Sequence, residues 1–145
     1  MPGVFVYGTL TDRERLSTVV DRYQFGPPAV CQGLRRVDGR YPTLAPGGQT
    51  SGRLIATSEL DALDSYEGLD RGLYCRVSVP LSVDESTDPP FAAETAELYV
   101  GSPRLLGVAD EVAWPTSGAL EHQVTQYIES NPVRIHPNYI EINNR

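Results

Sequence analysis

The chain has 145 residues, nineteen of them acidic and twelve basic, for a net charge of −7 at neutral pH. All twelve basic residues are arginine; lysine is absent. An acidic surface disfavours nucleic acid and anionic membranes as partners, no run of about 18 apolar residues is present to span a bilayer, and this length suits a single domain over residues 1–145.

Val4-Phe5-Val6-Tyr7-Gly8 reads as a buried strand, about residues 3–8, that ends in a glycine turn. Gly8 is expected to permit a turn that a residue with a Cβ would resist. Thr11 and Glu14 have capping-box spacing, with Thr11 as N-cap, and open a helix of about 12–23 with Leu16, Val19, Val20 and Tyr23 on one face. Gly26-Pro27-Pro28 breaks it. A strand is expected over about 29–37, a hairpin-type turn at Asp38-Gly39, an irregular piece over 41–48 and a strand over 51–57. Ser58 is expected to cap a short helix over about 59–67, closed by Gly68. Val77, Val79, Leu81 and Val83 alternate along a strand of about 74–83, followed by a polar loop over 84–90. Ala96 to Val100 reads as a strand and 105–108 as another short one. A helix of about 119–130 carries Leu120, Val124, Tyr127 and Ile128, and 135–142 has no clear form.

Most of these connections are too short for helical crossovers; only the first helix could serve a parallel pair. The expected class is α+β: a small, mixed, mostly antiparallel β-barrel with two or three peripheral helices. Cys31 and Cys75 form no framework and no CxxC. They are expected to be free thiols in a reducing compartment, hence a cytoplasmic protein, and no signal peptide is expected.

The glycines make no GxGxxG or phosphate loop, and no GxSxG is present. His122 and His136 have no partner at metal-ligand spacing, so no metal is expected. His122 is expected on a solvated helix face and His136 in a surface turn. Base catalysis therefore falls to a carboxylate. At about 100° per residue, Glu67 shares a face with Leu60 and Leu63, in the last helical turn where the dipole disfavours negative charge. Burial and dipole both raise a carboxyl pKa, as a base working near neutrality requires. The competing reading is an ion pair from Glu67 to Arg71 or Arg76. Tyr74 and Tyr99 are expected on polar strand faces, either lining a site or as core tyrosines. Arg40-Tyr41 is either a loop over a pocket or a surface turn. The N–H groups of Gly8, Thr9 and Leu10 are free either to gather on an anion or merely to begin a capped helix.

Tyr7-Gly8-Thr9-Leu10, with the strand before it, resembles the signature turn of the γ-glutamylcyclotransferase-like superfamily, nearest its AIG2-like and γ-glutamylamine cyclotransferase members. Leu60 to Gly68 followed by Leu73 to Val77, and then Ala96 to Val100, resemble the second and third motifs. The resemblance covers about the first hundred residues; after Gly101 the sequence departs from the usual short ending. It implies a small barrel with a pocket at its mouth and a glutamyl head group held by Tyr7, Gly8, Thr9 and Leu10. It also implies Glu67 as catalytic acid/base and Tyr74 lining the site; Arg40, Tyr41 and Tyr99 are further candidate contacts from the reading of the residues alone. The implied reaction releases 5-oxoproline from a γ-glutamyl compound, with no cofactor and a monomer or weak homodimer as the working form. A non-catalytic sensor or carrier of a small anion, or a purely structural domain, remains the alternative.

Overall fold

The computed structural model describes residues 1–82, 91 and 93–137. Six strands form one mixed sheet in the order β4-β5-β1-β3-β2-β6, curled into a half-barrel with three helices against it. The strands are β1 Gly3–Val6, β2 Gln24–Asp38, β3 Pro42–Ala56, β4 Tyr74–Pro80, β5 Thr95–Gly101 and β6 Arg134–Pro137; the helices are α1 Arg13–Val19, α2 Leu60–Tyr66 and α3 Leu120–Ser130. β1 is buried along its whole length. It pairs antiparallel with β3 and parallel with β5. The parallel pair is thus not served by the first helix, as the sequence suggested, but by the long excursion between β1 and β5. The outer strands meet at one point: Leu81 bridges Ile135, and the Ser82 N–H donates to the Ile135 carbonyl at 2.8 Å.

β2 and β3, of fifteen residues each, form one long hairpin, so the expected break at Gly26-Pro27-Pro28 and all but the first residue of the irregular piece over 41–48 lie inside strands. The signals behind those expectations are real but local. Proline has no N–H to give to a ladder, and the register shifts between Phe25 and Pro28 to accommodate the pair. A second shift falls between Gln32 and Leu34, where Gly33 opposes Gly47 and Gly48. These three have φ of +95°, +98° and +65°, a left-handed region that only glycine enters cheaply. The two-against-one count is a β-bulge, which bends the strand. The bend carries the outer half of the hairpin over the end of β1. Tyr127 of α3 fastens it: its hydroxyl donates to the Gly33 carbonyl at 2.9 Å and accepts from the Gly47 N–H at 3.0 Å.

Other differences have equally local causes. α1 is capped by Asp12, which accepts from the Glu14 N–H, because the Thr11 hydroxyl is spent on the Gly8 carbonyl at 2.7 Å. The helix stops at Val19 rather than Tyr23, with Val20 already extended. Ser58 does not cap α2. Thr57 Oγ1 takes the Glu59 N–H, and the Glu59 carboxylate accepts from the N–H groups of Asp21 and Arg22, tying α1 to α2. Residues 105–108 form no strand, and 105–107 are turn; they support the hairpin tip through the Leu106 carbonyl, which accepts from the Arg40 N–H. His136 sits in β6, hydrogen-bonded to Gln32, rather than in a turn. The expected 84–90 loop, Val83 and the part of 135–142 after Pro137 lie outside the described residues.

The clasp at the bend is open to test. Tyr127→Phe removes one hydroxyl that serves two backbone groups. A loss of about 1–3 kcal/mol is expected, read as a lower urea midpoint with an unchanged m-value.

Candidate functional site

A cavity of about 420 Å³ opens where β1 ends, β3 and β4 begin and α2 stops. The turn after β1 forms one wall. Residues Thr9–Thr11 make a single 3₁₀ turn, and among the described residues the N–H groups of Gly8, Thr9 and Leu10 have no hydrogen-bond partner. The carbonyl on the far side of each of those peptide units is engaged. Arg36 Nη1 donates to the Tyr7 carbonyl at 2.7 Å. The Gly8 carbonyl accepts from the Thr11 hydroxyl at 2.7 Å and the Thr11 N–H at 3.1 Å. The Thr9 carbonyl accepts from the Asp12 N–H at 3.1 Å. Each of these bonds polarises its peptide and strengthens the N–H on the other end. The three donors are held and charged from behind, and all three residues line the cavity.

Gly8 fills its position differently from expectation. Its φ is −128°, and a Cβ there would meet Pro42 Cγ at 3.6 Å, an ordinary contact. No left-handed geometry requires glycine at this turn.

Glu67 forms the opposite wall. α2 ends at Tyr66, Glu67 is its C-cap, and Gly68 at φ +71° closes it. Leu63 on the same helix face is fully buried. Burial pushes the half-buried Glu67 carboxyl up to about 7. Among the described residues it has no ion-pair partner. Arg76, one of the two arginines offered for it, is committed elsewhere: its Nε lies 3.4 Å from Asp64 and 3.8 Å from Glu97. Arg71 lines the cavity with Glu67 but forms no ion pair with it.

Two contacts fix Glu67 relative to the turn. The Tyr66 hydroxyl, from the residue beside Glu67, is 2.9 Å from the Thr9 hydroxyl. One turn back along α2, Asp64 accepts from the Tyr99 hydroxyl at 2.7 Å while pairing with Arg76. α2 is thus bound to the turn at one side and to β4 and β5 at the other.

The tyrosines lie as their strand periodicity requires. Tyr74, Arg76, Tyr99 and Glu97 share one face of the β4–β5 pair; Val77, Leu98 and Val79 share the other. Tyr7 donates to the Tyr99 carbonyl at 2.6 Å, and Tyr74 donates to the Pro42 carbonyl. Burial is the largest influence on all three hydroxyls and raises their pKa values, with the Glu67 charge adding to it. They stay protonated near neutrality. Tyr41 lines the cavity and is 54% exposed at its mouth. Arg40 is brought to neither wall: it is exposed, outside the cavity lining, with its N–H on Leu106. Sequence reasoning missed Arg15, which lines the cavity, and Arg36, which grips the turn from behind, and it offered Arg71, another lining residue, only as an ion-pair partner for Glu67. Arg15 stands four positions after Thr11 on the helix that the turn opens, a placement that could have drawn notice.

Cys31 and Cys75 are free thiols in β2 and β4, both pushed up to about 12 chiefly by burial, and neither lines the cavity. Among the described residues no three His, Cys, Asp or Glu side chains gather as a metal ion would need, and no helix is long and apolar enough to cross a membrane.

A family model described as γ-glutamyl cyclotransferase, AIG2-like, matches residues 4–116. The chain belongs to this family. The matched span takes in β1, the turn, α2 and the β4–β5 pair, and ends before α3. The fold agrees with solved structures. A protein titled gamma-glutamyl cyclotransferase superposes with a TM-score of 0.58 at 16% identity, over 88% of this chain and 98% of the other. The Homo sapiens protein loc79017, titled as uncharacterized, gives 0.57 at 17% identity over 86% and 96%. At3g28950.1 from Arabidopsis thaliana gives 0.55 at 26% identity over 89% and 78%. No curated protein sequence matches the chain.

The raised Glu67 carboxyl has a thermodynamic signature. Unfolded, it titrates near 4.5; folded, near 7. Between those values the native state binds more protons than the unfolded one, so stability falls as pH rises through that window. The cost is fully present above about pH 7, on the order of 3 kcal/mol, and absent below about pH 4.5. Glu67→Gln is therefore expected to raise the denaturation midpoint at pH 8 and to leave it nearly unchanged at pH 4. Equal effects at both pH values would show that the carboxyl is not raised.

Proposed function

We propose that the chain is a γ-glutamyl cyclotransferase-type enzyme with Glu67 as its general acid/base. The observation that carries this reading is the pairing, across one cavity, of three unpartnered and polarised N–H groups with an unpaired carboxylate raised to about 7. Family membership supports it.

A γ-glutamyl compound brings its own nucleophile. Its α-carboxylate would seat on the N–H groups of Gly8, Thr9 and Leu10, which suit an anion. That fixes the α-amino group next to it, toward Glu67. Attack of the α-nitrogen on the γ-carbonyl carbon closes a five-membered ring, a step favoured by its high effective molarity. The new C–N bond forms as the old amide C–N bond breaks. Glu67 takes a proton from the α-nitrogen and gives it to the departing nitrogen, so 5-oxoproline and a free amine or amino acid leave with no net change at the enzyme. A carboxyl titrating near 7 serves both halves of that transfer: basic enough to accept, acidic enough to return. Tyr74 and Tyr99, protonated in this site, would act as hydrogen-bond donors that close the cavity walls. No cofactor enters this scheme.

The test is mass-spectrometric detection of 5-oxoproline released from a panel of γ-glutamyl amines, amino acids and dipeptides. Glu67→Gln is expected to lower kcat by roughly 10²–10⁴-fold with little change in binding of the glutamyl head. In the native protein kcat/KM is expected to rise as pH passes through about 7, as Glu67 ionises. Tight binding of the panel without release of 5-oxoproline would instead make the chain a sensor or carrier.

Arg36 separates binding from proton transfer. Arg36→Met removes the charged donor behind the Tyr7–Gly8 peptide and is expected to raise KM about tenfold with kcat changed far less. A fall in kcat alone would place Arg36 in the chemical step and contradict this assignment.

A further inference from the structure

A second cavity of about 370 Å³ adjoins the first, and the two share Gly8, Thr9, Arg15 and Pro42 as common lining. They are two chambers of one cleft, with Arg15 at the boundary. Charge in this cleft runs against the rest of the molecule. In a chain of net charge −7, the only groups of formal charge that line the first chamber among the described residues are Arg15, Arg71 and Glu67. The second chamber adds Arg36 and Asp12. Both of these are occupied: Arg36 binds Asp38 at 2.8 Å and the Tyr7 carbonyl, and Asp12 caps α1. Arg15 is not occupied. Its guanidinium has no hydrogen bond or ion pair to any described residue, although α1 places it at the cleft.

An uncommitted guanidinium on the wall of a cleft recognises a carboxylate or similar anion. The glutamyl head group carries one carboxylate, and the proposed function gives that one to the N–H groups of the turn. Only the departing nitrogen has to stay within reach of Glu67; the rest of the departing half needs space beyond it, and the second chamber continues the cleft past Gly8 and Pro42. Apart from Gly8 and Pro42, the residues that line it are polar or charged. We infer that Arg15 is a specificity-determining residue that binds an anionic group on the departing half, so that this chain prefers γ-glutamyl compounds whose leaving group carries a free carboxylate over those with a neutral or cationic leaving amine. This inference rests on the cyclotransferase reading for the orientation of the ligand, but its readout, acid against amide, is separate from turnover.

The experiment uses matched pairs that differ only in that carboxylate: γ-glutamyl-alanine against γ-glutamyl-alaninamide, and γ-glutamyl-glutamine against its C-terminal amide. Release of 5-oxoproline is followed for the native protein, Arg15→Met and, as a control outside both chambers, Arg104→Met. Binding of the same pairs to Glu67→Gln, with and without Arg15→Met, is followed by calorimetry. The native protein is expected to favour each acid by about tenfold in kcat/KM, a preference that weakens with added salt because Arg15 is exposed. Arg15→Met is expected to lower the acid to the level of the amide and leave the amide unchanged, and Arg104→Met to keep the preference. Equal use or equal binding of acid and amide by the native protein overturns the inference while leaving the cyclotransferase reading intact. So does a parallel fall of both in Arg15→Met, which would put Arg15 on the head group. An acid preference in binding that Arg15→Met abolishes, with no 5-oxoproline from any compound, upholds the inference and defeats the cyclotransferase reading. Failure of every compound to bind or react overturns both.

Discussion

The bend in the β2–β3 hairpin is the constraint on which the site depends. Without it, Pro42 and the strand that follows would run straight past β1. With it, the outer half of the hairpin folds over the end of β1 and delivers three contacts at once. Arg36 reaches the Tyr7 carbonyl, the Pro42 carbonyl meets the Tyr74 hydroxyl, and the Thr43 hydroxyl accepts from the Gly101 N–H at 2.8 Å. These join β2, β3, β4 and β5 around the turn that follows β1. The geometry is stored in three glycines of positive φ and in one hydroxyl from α3. α3 lies beyond the span matched by the family model, so a segment outside the family pattern secures the part of the hairpin that shapes the pocket.

The site also shows how one charge can be kept uncomfortable while its neighbours are satisfied. Asp64 and Glu67 sit one helical turn apart. Asp64 receives a tyrosine hydroxyl and an arginine; Glu67 receives neither. A carboxylate in low dielectric without a partner shifts toward its neutral form, and the shift leaves it useful for moving protons. Arg76, by binding Asp64 and Glu97, is removed from Glu67's reach of compensation. Burial raises the Glu67 carboxyl, and the pairing pattern around it leaves that effect without an ion pair to offset it.

The elements that form the site were the legible ones in the sequence. Val4-Phe5-Val6 is β-branched and aromatic without interruption, as a strand buried on both sides must be. Glu67 could be placed inward because Leu60 and Leu63 set the phase of its helix. Tyr74 and Tyr99 could be given a common face by period two alone. What escaped was everything decided by a distant partner. Gly26-Pro27-Pro28 and Gly47-Gly48 carry the marks of chain breaks, and only the opposing strand converts them into bulges. Thr11 satisfies the capping-box spacing, yet the Gly8 carbonyl claims its hydroxyl. Arg40 and Arg36 are indistinguishable as sequence, and the curl of the hairpin sends one to solvent and the other to the back of the turn.

The order of the strands bears on how the protein comes to form its cavity. β2 and β3 are joined by a three-residue tip between Asp38 and Pro42, so their pairing closes a small loop and can form early. β1 and β5 are different: Tyr7 and Tyr99, joined by a hydrogen bond, are 92 residues apart in the chain. Contacts of such long range carry the largest loop-closure entropy and condense late. The pocket lies on that seam. A newly made chain would thus acquire its hairpin well before it acquires this cavity, and the closing of the cavity would report the final step of folding rather than the first.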